Sequence, residues 1–190
     1  KAAQNQARRQ MIDALLLKTW AYRAGFVFLA LLLTFTELLP LNTLPTSWVM
    51  PDVLLCVTFV CCIRRPQYVP MLIIAVVFLF QDLLLNRPPG LFAALTLIAS
   101  EWLKRRSRRS EEFSFVKEYL SVTAAIAVVL LGTRWGLGVV MLPMPEAYLT
   151  LSELLSTVLF YPVVVLFTQV VLKVRRAAFG ELEAAVGERA

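Results

Sequence analysis

The sequence predicts an all-α integral membrane protein, with six transmembrane helices in a compact bundle and both termini in the cytoplasm. Three observations carry this. Of the 190 residues, 59% are hydrophobic and 17% charged, against roughly 45–50% apolar in a soluble domain. Prolines and charges cut the chain into six apolar segments, each close to the ~20 residues that a bilayer core of about 30 Å requires. Finally, the basic residues gather on alternate connections, as they do when those connections stay inside the cell.

The first segment, residues 24–41, follows basic residues as a signal peptide would. Its apolar run continues to Leu41, however, no small-x-small cleavage pattern follows, and five more apolar segments come after it, so it reads as a retained span. Ahead of it, residues 1–23 carry Met11, Ile12, Leu15, Leu16 and Trp20 at helical spacing opposite Arg9, Asp13 and Lys18. That pattern fits either an amphipathic lead-in lying at the membrane interface or a plain extension of the first helix. Further spans fall at 48–63, 69–85, 88–103, 115–142 and 149–172, the second and fourth being short, and residues 173–190 form a tail. Residues 24–172 thus make a single membrane domain. Pro40, Pro45, Pro66, Pro70, the Pro88-Pro89-Gly90 run, Pro143 and Pro145 all lie at proposed ends, where proline stops or opens a helix. Pro162 is instead internal to the sixth span. It removes the hydrogen bond to the Val158 carbonyl and predicts a kink.

Orientation follows from charge. Lys1 to Arg23, Arg64 and Arg65, Lys104 to Lys117, and Lys173 to Arg189 hold 17 of the 19 basic residues on one side, leaving Arg87 and Arg134 on the other. Short basic loops stay cytoplasmic, so a five-span or seven-span arrangement would split these clusters across the bilayer. On the basic side, Asp13, Glu111, Glu112, Glu118, Glu181, Glu183 and Glu188 stand in polar surroundings and read as solvated charges.

The candidate polar cluster is therefore on the opposite side: Asp52, Asp82, Arg134 and Glu153. Arg134 lies about 19 residues into the fifth span, about 28 Å from its inner end at about 1.5 Å per residue. An unpaired charge at the bilayer centre costs about 2.5–3.5 kcal/mol, which favours pairing, and Asp82 or Glu153 is the expected partner of Arg134. Such a pair could be structural, could form a polar site open to the outside, or could be a contact for a partner's charged group. Gly132 and Gly136 form a GxxxG, with Gly138 two residues on, which permits a close helix approach either within the bundle or to a partner. The run Lys104, Arg105, Arg106, Arg108 and Arg109 suits anionic lipid head groups, or a cytoplasmic protein. It lacks the interleaved aromatics of a nucleic-acid surface, and no nucleic acid is expected.

Catalytic signals are thin. Histidine is absent, Cys56, Cys61 and Cys62 lack CxxC spacing, and no GxSxG, Walker A, GxGxxG or HExxH motif occurs. The reading is a non-enzyme without metal or cofactor.

Pro51-Asp52-Val53-Leu54-Leu55 opening the second span, Phe80-Gln81-Asp82-Leu83-Leu84 closing the third, Pro89-Gly90-Leu91 opening the fourth and Tyr161-Pro162 in the sixth follow one another in an informative order. With chain length and topology, this set resembles the bacterial rod shape-determining protein family MreD, over residues 25 to 176. Ala99-Ser100-Glu101-Trp102-Leu103 before a basic loop is similar to alphaproteobacterial members. The matching positions are Pro51, Asp52, Asp82, Pro89, Gly90 and Pro162. The resemblance implies a non-catalytic scaffold subunit of the cell-elongation complex (elongasome) in the bacterial inner membrane, supporting cell shape and peptidoglycan synthesis. It implies binding to MreC and, through it, to RodA with its penicillin-binding transpeptidase partner and to MreB. It also implies a fold similar to the six-helix substrate-binding subunits of energy-coupling-factor transporters. The alternative is a small-solute-binding transporter subunit of the vitamin type, whose pocket would hold Asp82, Arg134 and Glu153.

Overall fold

The computed structural model describes residues 2–39, 49–109, 115–141 and 146–170. The tail 173–190, Pro40 and Pro45, Glu111 and Glu112, and Pro143 and Pro145 lie outside the described residues, as do the side chains of the lead-in residues 2–16. Among the described residues there are six α-helices and no strand: α1 Ala2–Leu38, α2 Val53–Arg64, α3 Met71–Leu84, α4 Leu91–Arg109, α5 Phe115–Val139 and α6 Ala147–Val170. Among the described residues, three stretches are long and apolar enough to cross a membrane: Thr19–Leu38 of α1, α5 and α6.

One alternative left open by the sequence is decided, and one boundary differs from the expectation. Lead-in and first span are one continuous helix, because no proline interrupts residues 2–38 and Gly25 alone does not end it. The basic run at 104–109 is not a loop. It continues α4, since residues 91–109 contain neither proline nor glycine and are rich in Leu, Ala, Lys and Arg, all good helix formers.

The centre of the bundle is α2. At 12 residues it is about 18 Å long at ~1.5 Å per residue, and every residue from Leu54 to Ile63 is buried. It packs chiefly against α6 and α4, with α1 and α5 completing the enclosure. A helix that is apolar all round must be enclosed on every side, which is what its neighbours supply. Around it, α3 turns Ile74, Val77, Phe78, Gln81 and Asp82 inward, and Met71, Leu72, Val76, Phe80 and Leu83 outward. The outward surface of the bundle is strongly apolar, with Phe28, Phe35, Trp135, Leu159 and Leu166 among its exposed large side chains.

The antiparallel order brings like helix ends together. At one end Arg23 donates to the Gln67 carbonyl at 3.3 Å, Tyr22 stacks on Tyr68, and Ser107 donates to the Ile63 carbonyl at 3.1 Å. This basic end gathers the C-termini of α2 and α4 with the start of α5. The acidic end gathers Glu37, Asp52, Asp82 and Glu153 near the C-terminus of α1, the start of α2, the end of α3 and the start of α6.

Candidate functional site

At the acidic end, each carboxylate is fixed by the local chain. Asp52 is the N-cap of α2, and its carboxylate accepts from the Leu55 amide at 2.8 Å. Its own amide donates to the Thr157 hydroxyl at 3.1 Å, which ties α2 to α6. Asp82, fully buried near the end of α3, reaches across the turn. One carboxylate oxygen accepts from the amides of Gly90 at 3.0 Å and Ala93 at 3.2 Å. It therefore caps α4 from a different helix, satisfying two of the donors that a helix start leaves open. The turn between them needs Gly90, whose φ of +93° is a conformation that side chains disfavour. The neighbouring Gln81 amide donates to Glu37 of α1 at 2.9 Å.

Arg87 is the cation shared by this end. Its guanidinium is within electrostatic reach of Glu37, Asp52, Asp82 and Glu153 and lies 4.9 Å from the centre of the Phe92 ring. A cavity of about 150 Å³ opens here, and Arg87, Phe92, Thr133, Arg134, Thr150 and Glu153 are part of its lining. Of the four predicted cluster residues, Arg134 and Glu153 thus meet at one cavity. Asp82 is committed to the α4 backbone and Asp52 to α2. Arg87, read from the sequence only as an outer-side charge, lines the same cavity and lies within electrostatic reach of all four carboxylates.

Gly132 and Gly136 face α4. A Cβ on Gly136 would lie 2.7 Å from a Leu91 methyl, and one on Gly132 would lie 3.2 Å from a Leu95 methyl. This GxxxG therefore receives the chain's own fourth helix. Among the basic residues singled out, Lys104 is buried and paired with Glu101 at 2.9 Å, whereas Arg105, Arg106 and Arg108 are exposed. The side chain of Arg109 lies outside the described residues.

The second polar centre overturns a sequence expectation. Glu118 is not solvated: it is 2% exposed. Its carboxylate accepts from Arg64 of α2 at 3.2 Å and from the Tyr161 hydroxyl of α6 at 3.0 Å. With its side-chain amide oxygen turned to the guanidinium, Gln169 of α6 accepts from Arg64 as well. Three helices thus share one buried ion-pair network. The charges of Arg64 and Glu118 were visible in the sequence, but their burial was not, because it arises where α5 begins beside the end of α2 and against α6.

Among the described residues no group of three His, Cys, Asp or Glu is arranged to hold a metal ion. No family model, no curated protein and no solved structure matches the chain.

Proposed function

We propose that the chain is a scaffold subunit of the bacterial cell-elongation complex, of the MreD type. In this reading it crosses the inner membrane six times with its basic end and both termini in the cytoplasm, performs no catalysis, and binds the transmembrane helix of MreC. Through MreC it joins RodA, the transpeptidase partner and MreB.

The observation that carries the reading is a seam on α1. Phe28, Leu31, Leu32, Phe35 and Leu38 are exposed at 70%, 47%, 50%, 63% and 41%, and with Phe80 and Leu84 of α3 they line an open apolar groove. The spacing i, i+3, i+4, i+7 is that of a helix seam, so the groove suits a further helix. Asp52 and Asp82 are taken up by internal caps and the glycine notch by α4, so the partner contact is assigned to this groove.

Co-purification with MreC tests the reading. Leu32→Ala combined with Phe35→Ala should abolish MreC recovery while leaving the protein folded, whereas Leu159→Ala, an exposed position on α6, should not change it. Unchanged recovery with the double variant would refute the reading.

A second reading, a small-solute carrier, is favoured by the cavity lined by Arg87, Arg134 and Glu153. Its volume of about 150 Å³ is below the roughly 300–1,000 Å³ of ordinary ligand pockets. Mass spectrometry of small molecules retained in gentle detergent separates the two.

A further inference from the structure

We infer that the cleft between the start of α3 and the last turns of α4 is a binding site for one anionic phospholipid molecule. The inference uses the membrane position of the helices but not the partner proposed above.

The cleft is open, about 340 Å³, and lined by Met71, Leu97, Ile98, Glu101, Trp102 and Arg105. Along α4 its chemistry changes in a fixed order. Ile98, 65% exposed, comes first, then Trp102, 43% exposed, then Arg105, one residue in each successive turn or so. That is the order of an acyl chain, a glycerol interface and a phosphate, and tryptophan is the side chain that favours the interfacial level. Across the cleft Met71 is the apolar wall, with the exposed Leu72 next to it in the chain. They also open α3, which has Pro70 as N-cap and no side-chain cap bond, so the positive end of the helix dipole faces the same level.

The charge balance selects an anion. Glu101 is in the lining, but Lys104 pairs with it at 2.9 Å. Arg105 is left on the cleft as net positive charge, reinforced by Arg106, which stacks over Trp102 at 5.4 Å. A zwitterionic head group brings an ammonium to this position and gains less. The basic run is thus two populations: Lys104 is structural, and Arg105 with Arg106 is the head-group clamp.

Native mass spectrometry of the whole chain in neutral detergent, with added phosphatidylglycerol or phosphatidylcholine, tests this. One phosphatidylglycerol should be retained in preference. Arg105→Gln should lower its retention about fivefold, the share expected of one basic residue near anionic lipid, while Arg108→Gln, equally exposed but outside the cleft, should leave it nearly unchanged. A second measurement needs no arginine variant. Phosphatidylglycerol with brominated chains should quench the part of the fluorescence that Trp102→Phe removes. Equal retention of the two lipids, equal losses in the two arginine variants, absence of that quenching, or displacement of the lipid by soluble glycerol phosphate would each overturn the assignment.

Discussion

The Tyr119 hydroxyl of α5 donates to the Val158 carbonyl of α6 at 3.4 Å. This is the carbonyl that Pro162, four residues on, leaves without its helical donor. One carbonyl earlier, the Cys56 thiol of α2 donates to Thr157 at 3.5 Å. The carbonyl that Pro162 frees inside the continuous helix α6 is therefore answered by a side chain of α5, and α2 holds the neighbouring turn through the Cys56 thiol.

Removing that donor should have a measurable and conditional cost. Tyr119→Phe is expected to destabilise the protein by about 1 kcal/mol, the usual net value of one hydrogen bond. In a Pro162→Ala background, where the amide of residue 162 can serve the carbonyl, the same change should cost distinctly less. Thermal unfolding of the four proteins of this cycle in detergent is the check, and equal costs in both backgrounds would dissociate the tyrosine from the proline.

The Arg64–Glu118 pair should behave as a buried ion pair. Removing one partner leaves the other charge uncompensated, which typically costs about 3–5 kcal/mol. Glu118→Leu should therefore be strongly destabilising, and the double change with Arg64→Leu should recover much of the loss. Tyr161→Phe, which removes only a hydrogen bond to a charged acceptor, should cost about 1.5–3 kcal/mol.

Asp82 provides a test of capping between helices. Asp82→Ala should cost roughly 0.5–2 kcal/mol through the loss of the α4 cap. Asp82→Asn should cost less. It keeps an oxygen for the Gly90 and Ala93 amides and puts its own amide where the second carboxylate oxygen has no hydrogen-bond partner. Gly90→Ala should add a separate penalty from its positive φ.

Close approach of α4 and α5 predicts a compensating pair. Gly136→Ala brings a methyl against a terminal methyl of Leu91 at 2.7 Å; because that flexible side chain can shift, the cost should lie at or below the low end of overpacking, about 1 kcal/mol. Combining it with Leu91→Ala should cost less than the sum of the two single changes. Strict additivity would mean that the helices separate to accommodate the methyl.

Much of the architecture was legible in the chain. Helical class, six helices among the described residues, and the α2–α3 and α3–α4 breaks at Pro66, Pro70 and Pro88-Pro89 follow from apolar runs punctuated by proline, whereas the end of α4 lies beyond the position that the apolar run indicates. The carbonyl that Pro162 frees inside α6 was also readable from one residue. The residue that answers it was not, because Tyr119 is 39 positions from its acceptor.

The polar sites divide in the same way. That Asp52, Asp82, Arg134 and Glu153 share one level can be counted along helices at a fixed rise per residue. Which group each one meets depends on how the helices are rotated and tilted, and packing alone sets that. Thus Asp82 serves a neighbouring helix start, Arg87 becomes the common cation, and Glu118, in a polar stretch of sequence, is enclosed by α2 and α6. Composition and periodicity govern what a segment is. The pairing of distant charges and the filling of the glycine notch arise only once six helices exclude solvent and lipid from the space between them.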